Sequence, residues 1–210
     1  MLIAGFTSPQ ILAIVVAASF AAGLNVYATV ATLGLLGRFA VVPLPASLHL
    51  IEDWWVIGAA AALFLIEFVA DKIPAFDLVW NALQTFVRVP VAALLGYAAA
   101  AQLSPRAQLA AALSAAAIAF AAHGGKIAAR AAVTPSPEPF SNSALSLVED
   151  TAAIALTWFA TAHPYIAACI VAVALIILVL LIRLIWRALA ALFRGARKQW
   201  QELNVPAAAT

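Results

Sequence analysis

The chain has 210 residues, of which 66% are hydrophobic and 10% charged, and its formal net charge is +2. A soluble domain carries about 25% charged residues, so this chain has too little polar surface to cover a globule in water. With a mean hydropathy of +1.06, it reads as an all-α integral membrane protein, and no basic, aromatic-interleaved patch points to nucleic acid.

Hydrophobic runs bounded by Pro, Gly and charge predict six spans, at about 9–37, 54–73, 78–101, 106–133, 143–162 and 164–186. Each reaches the roughly 20 apolar residues a spanning helix needs. Met1 to Phe6 lacks the charged region of a cleaved signal peptide, so the first run is expected to stay as an anchor. Spans one and four exceed the usual length and must tilt, break or protrude. Gly23-Leu24-Asn25 is expected to interrupt span one, and His123-Gly124-Gly125 span four. The connections are short. Segment 38–53 carries Pro43 and Pro45, residues 74–77 read as a tight turn, and Gln102 to Pro105 forms another. Thr134 to Asn142 holds three prolines and is expected to be non-helical, with Ser141 or Asn142 capping span five. His163-Pro164 marks the last turn.

Residues 1–186 form the predicted membrane domain, and 187–210 a basic cytoplasmic tail. From Ile182 to Leu203, Leu184, Leu189, Leu192, Phe193, Trp200 and Leu203 recur on one side of a helix, with the arginines largely opposite. That pattern suits an amphipathic helix lying on the membrane surface. One set of loops holds Lys72, Lys126, Arg130 and the tail, the other Arg38 and Arg106. The first set should face the cytoplasm, which places both termini there. Phe20 to Ala28 matches Phe120 to Ala128 without a gap, as an inverted 3+3 repeat would require. A rival match pairs Asn81 to Tyr97 with Asn142 to Trp158 and would set Arg88 against Glu149.

Charge inside these spans is the strongest functional signal, since each buried charge costs about 3 kcal/mol on insertion scales. Glu67 and Asp71 are four apart on one helical face, and so are Lys126 and Arg130. The two pairs can neutralise each other across a helix interface, as a gate or as a static bridge. Arg88 stands near the middle of span three beside Pro90, placed for an anion or for a counter-ion such as Glu67 or Glu149. Adjacent Glu149 and Asp150 point about 100° apart, and two close carboxylates favour proton uptake by one of them. Asn25, Tyr27 and His123 offer polar groups at the two expected breaks, and Glu138 and Asn142 mark a cytoplasmic loop. Glu67, Asp71 and Glu149 would hold a hard cation only if all three converged. There is no HExxH, GxSxG, phosphate loop or His/Cys ligand cluster, so neither a metal, a cofactor nor an enzymatic reaction is expected. The lone Cys169 excludes an intrachain disulfide and reads as a packing residue.

Four strings carry a family resemblance: Ala22 to Val30, Glu67 to Pro74, Ser136 to Asn142, and Leu147-Val148-Glu149-Asp150. Together they resemble the bacterial membrane family called domain of unknown function 4126, over roughly residues 15–165. The resemblance implies a multi-spanning membrane protein and no established activity.

The residues themselves point to a small secondary transporter or lipid-phosphate translocase of the inner membrane. An anionic substrate would meet Arg88, Lys126, Arg130, Asn25 and Tyr27. Glu67, Asp71, Glu149, Asp150 and His123 would gate it or couple it to protons. An ion channel, or a membrane scaffold with static ion pairs, is the alternative. Membrane lipids and a small anion are the expected partners, nucleic acid is not, and a homo-oligomer remains open.

Overall fold

The computed structural model describes residues 6–133 and 139–203; within its helices, the side chains of 74–78, 131–133, 139–142, 188, 189, 192 and 195–203 fall outside the description. All regular structure among the described residues is helical apart from an isolated bridge position at Phe6. The elements in chain order are α1 (Ser8–Leu24), α2 (Val26–Arg38), a 3-10 helix (Ala46–Glu52), α3 (Trp54–Ala70), α4 (Pro74–Ala99), α5 (Pro105–Val133), α6 (Pro139–Ala162) and α7 (Pro164–Leu203). Three stretches are long and apolar enough to cross a membrane: Val79–Ala99, Pro105–Arg130 and Pro164–Arg187. The 3-10 helix and α3 meet at a 60° bend, and the pair is long and apolar enough for a fourth only when counted as one broken span rather than a re-entrant loop. This is a membrane protein by the length and composition of its helices.

Span one is broken where expected. Asn25 sits in extended backbone (φ −150°, ψ 104°) between α1 and α2. Its side-chain oxygen accepts from Ala28 N at 2.9 Å, so it N-caps α2. Span four is not broken: α5 runs unbroken through His123-Gly124-Gly125. A glycine weakens a helix by about 1 kcal/mol, which does not end one without a competing cap, and the His123 side chain is bonded to α4 instead.

The segment 74–77 is the start of α4 rather than a turn. Ile73, held extended by the proline after it, precedes Pro74 in the first turn of the helix. Pro139 opens α6 in the same way, so Ser141 and Asn142 lie within the helix and do not cap it. The preceding residues 134–138, including Glu138, lie outside the described residues.

Two compact units divide between Val171 and Ala172. The expected boundary at 186–187 falls inside the continuous helix α7. In the first unit, α1 packs against α4, α5 and α6. Its core is built largely from alanine, with Ala22, Val26, Ala92 and Ala119 in one cluster and Val15, Ala100, Ala111 and Ala115 in another. Small residues allow close helix approach where lipid provides no hydrophobic drive for association. In the second unit, α7 exposes Ile176, Ile177, Leu180, Leu184, Ile185 and Trp186. A helix apolar on all sides suits a lipid environment.

Two glycines test the packing. A Cβ on Gly23 would lie 2.5 Å from Ala119 O and 2.7 Å from the Ala122 Cβ, whereas one on Gly124 meets nothing within 4 Å. Gly23→Ala is expected to cost about 1–3 kcal/mol through overpacking, and Gly124→Ala to leave stability unchanged or raise it by about 0.4–1 kcal/mol. Thermal melts in detergent check this, and equal melting of Gly23→Ala and wild type would contradict the close α1–α5 contact.

Candidate functional site

Five helical elements point polar groups at one another in the first unit. On α4, Asn81, Gln84, Thr85 and Arg88 follow the i, i+3, i+4, i+7 spacing of a single face. His123, Lys126 and Arg130 share a face of α5, Glu67 and Asp71 one of α3, and Ser146, Glu149 and Asp150 one sector of α6. The break between α1 and α2 adds backbone carbonyls and Asn25.

Arg88 is the hub and is fully buried. Its Nη1 donates to Gly23 O at 2.9 Å and Leu24 O at 2.6 Å, and its Nη2 donates to Glu67 Oε1. The guanidinium therefore replaces hydrogen bonds that the break removes from the end of α1. The same Nη1 lies 3.1 Å from His123 Nδ1. Facing an always-protonated guanidinium, Nδ1 must accept, which puts the ring proton on Nε2. Nε2 then donates toward Asn81 O at 2.9 Å and Thr85 Oγ1 at 3.0 Å. His123 is thus the neutral imidazole here.

Three carboxylates converge on the Lys126 ammonium: Glu67 Oε1 at 3.1 Å, Asp71 Oδ2 at 3.2 Å and Glu149 Oε2 at 3.4 Å. Arg130 Nη2 lies 2.7 Å from both Asp71 Oδ2 and Glu149 Oε2. Ser146 Oγ donates to Asp71 Oδ2 at 3.3 Å. Asp150 stands apart: its Oδ1 accepts from Asn25 Nδ2 at 2.8 Å. Tyr27 lies at the margin, where its hydroxyl accepts from Gln84 Nε2 at 3.0 Å. The side chains of Glu67, Asp71 and Lys126 are 0% exposed, Arg130 3% and Glu149 8%. The convergence that a hard cation would need is present, and Lys126 Nζ occupies its centre. No group of three or more His, Cys, Asp or Glu among the described residues is arranged to hold a metal.

The structure pairs Arg88 with Glu67 and not with Glu149, which is engaged by Arg130 and Lys126. Glu149 and Asp150 diverge to separate partners, as neighbouring helical positions must. Sequence reasoning missed Asn81, Gln84, Thr85 and Ser146 as members of the site. The polar i, i+3, i+4, i+7 pattern leading to Arg88 was the available signal for the first three. The side chain of Asn142 and all of Glu138 lie outside the described residues. Elsewhere, an apolar cleft of about 650 Å³, counting its open mouth, lies among Ile11, Ile14, Val15, Leu44, Leu48 and Leu95, and none of the ionisable network residues lines it.

The buried acids fall in the strings Glu67 to Pro74 and Leu147 to Asp150, beside a helix break in Ala22 to Val30, and the buried bases Arg88, Lys126 and Arg130 lie between and outside these strings. The matching family extends across all of them, over residues 12–186. The chain belongs to the family described as Domain of unknown function (DUF4126). No curated protein and no solved structure matches it. The family match ends at Trp186, before residues 187–210, and encloses the whole ion network.

Removing one partner of a buried ion pair costs about 3–5 kcal/mol, because the other charge is left uncompensated. Glu67→Ala should therefore lower the melting temperature strongly. The exchange of Glu67→Lys with Lys126→Glu should not restore it, because the new ammonium would face Arg88 and the new carboxylate would face Asp71 and Glu149. A double exchange that melts with wild type would show the Glu67–Lys126 contact to be an isolated pair.

Proposed function

We propose that this protein is a small secondary transporter of the inner membrane, moving an anionic or lipid-phosphate substrate without transforming it. In this reading the chain crosses the bilayer six times, with α1 and α2 as one broken span and both termini cytoplasmic. The observation that carries it is the sharing of cations. Lys126 contacts three carboxylates and Arg130 two, all within 3.4 Å. A static buried pair stabilises no better than apolar packing of the same volume. A network with shared partners, by contrast, exchanges pairs without stranding a charge. An anionic head group competes with Glu67, Asp71 and Glu149 for Arg88, Lys126 and Arg130, and the break at Asn25 supplies the bend through which exchange becomes movement.

An inverted 3+3 repeat belongs to this reading. The two matching strings lie against each other, with Gly23 against Ala122 and with Lys126 Nζ 3.4 Å from Leu24 O. Only the first string contains a break, so the repeat is asymmetric in its working parts.

The near-complete burial of the network favours a second reading, a scaffold locked by static ion pairs. Side-chain access separates the two. In a Cys169→Ser background, Ser146→Cys places a thiol beside Asp71. The transporter reading expects a membrane-impermeant maleimide to label it in a fraction that changes with pH or with added glycerol phosphate. A folded protein that stays unlabelled in both vesicle orientations under all these conditions supports the scaffold. Proteoliposome uptake of inorganic phosphate, glycerol phosphate and a labelled lipid phosphate then tests the substrate class. Arg88→Lys keeps the charge but loses the planar fork, and it should reduce uptake at least tenfold; unchanged uptake would remove Arg88 from the path.

A further inference from the structure

The buried ionisable side chains do not balance. Among the described residues they are Glu67, Asp71, Glu149 and Asp150 against Arg88, Lys126 and Arg130, with His123 neutral. With every acid ionised, one negative charge is left over. An isolated ionised carboxylate inside a protein is costly enough that such groups neutralise.

The geometry identifies the acid left without a counter-ion. Glu67 bonds Arg88 and Lys126, Asp71 bonds Lys126 and Arg130, and Glu149 bonds Arg130 and Lys126. Asp150 bonds one neutral amide through Oδ1, and its buried Oδ2 has no hydrogen-bond partner among the described residues. The elements packed around it offer no better partner. α1 carries no ionisable residue, and α2 carries only Tyr27, whose hydroxyl accepts from Gln84, and Arg38 at its far end. Of the charges that act on Asp150, Glu67 and Asp71 on α3 repel an ionised carboxylate, and Lys126 on α5 is already held by three carboxylates. Glu149, its neighbour on α6, is a further acid. His123 is no rival proton carrier, because Nδ1 accepts from Arg88 and a second ring proton would point at the guanidinium.

We propose that Asp150 holds a proton on Oδ2 in this conformer, and that this proton is the ion coupled to movement at the α1–α2 break. The coupling rests on the transporter reading, while the bound proton stands on the charge balance. Asn25 is the link: its Oδ1 caps α2 through Ala28 N while its Nδ2 donates to Asp150 Oδ1. When Oδ2 releases its proton to water, Asp150 becomes a fourth carboxylate competing for Lys126. Lys126 also touches Leu24 O at the end of α1, so its displacement acts on the break from both sides. Rebinding a proton from water restores the arrangement described here.

Infrared spectroscopy of the full chain in lipid tests this directly. Wild type should show a protonated-carboxyl stretch at neutral pH that disappears as pH is raised and is missing in Asp150→Asn. Asn25→Ser keeps a helix cap but removes the amide donor, so it should shift the frequency of that stretch. No such stretch in wild type overturns the proposal, as does one that survives in Asp150→Asn or stays unshifted in Asn25→Ser. A stretch lost when sodium replaces choline at constant pH and ionic strength also overturns it, in favour of a monovalent-cation site. The two readings fail separately: a silent Ser146→Cys removes transport and leaves the infrared result standing, and a missing stretch leaves the labelling result standing.

Discussion

The guanidinium of Arg88 is the constraint on which the rest of the site depends. A planar, permanently charged group in the middle of an apolar bundle needs acceptors on several sides. Two come from the backbone, Gly23 O and Leu24 O, and they are free to accept because α1 ends there. The third is Glu67, brought in by α3. Once Glu67 is present, its charge lies beside Lys126, which draws Asp71 and Glu149, and these in turn hold Arg130. The broken helix and the ion network are therefore one feature: without the break Arg88 would lack two acceptors, and without Arg88 the end of α1 would leave carbonyls unsatisfied in a dry interior.

Short side chains elsewhere make the network geometrically possible. The bases on α4 and α5 are held near the helix break because these helices approach α1 closely around Ala22, Ala92, Ala119 and Gly23, and α6 brings its acids in by closing on α1 and α2 around Ala21, Ala28 and Ala153. Alanine is an unspecific core residue, and it contributes little packing energy for each residue buried. Here its value is distance. Larger side chains would separate the elements and leave Lys126 unable to touch three carboxylates at once.

The parts of this architecture written locally were legible in the sequence, and the parts written between helices were not. Asn25 announces a break because an Asn after Gly-Leu carries its own cap, and the structure breaks there. Gly124 and Gly125 carry no cap, and α5 continues through them. Pro74 and Pro139 looked like turn residues because proline interrupts helices. Yet proline also suits a first turn, and only the helix-forming run on its C-terminal side tells the two apart. The i, i+4 pairs Glu67/Asp71 and Lys126/Arg130 could be matched by charge. The choice of Glu67 over Glu149 as partner of Arg88 could not, because both acids satisfy the same electrostatics and only the positions of α3 and α6 decide between them.

Shared ligands also distinguish this network from a set of separate bridges. Glu67 Oε1 serves both Arg88 and Lys126, while Oε2 of the same carboxylate has no partner among the described residues. Asp71 repeats the pattern, with Oδ2 contacting Lys126, Arg130 and Ser146 and Oδ1 unpartnered. Separate bridges gain most when each oxygen takes its own donor, so crowding the donors onto one oxygen sacrifices stability. It leaves Glu67 and Asp71 each a spare acceptor that a small rotation would bring into use, which is what the proposed exchange with an anion requires. Under the proposed function, partners would exchange without any charge standing bare in the interior, which is the condition a buried ion network must meet to move at all.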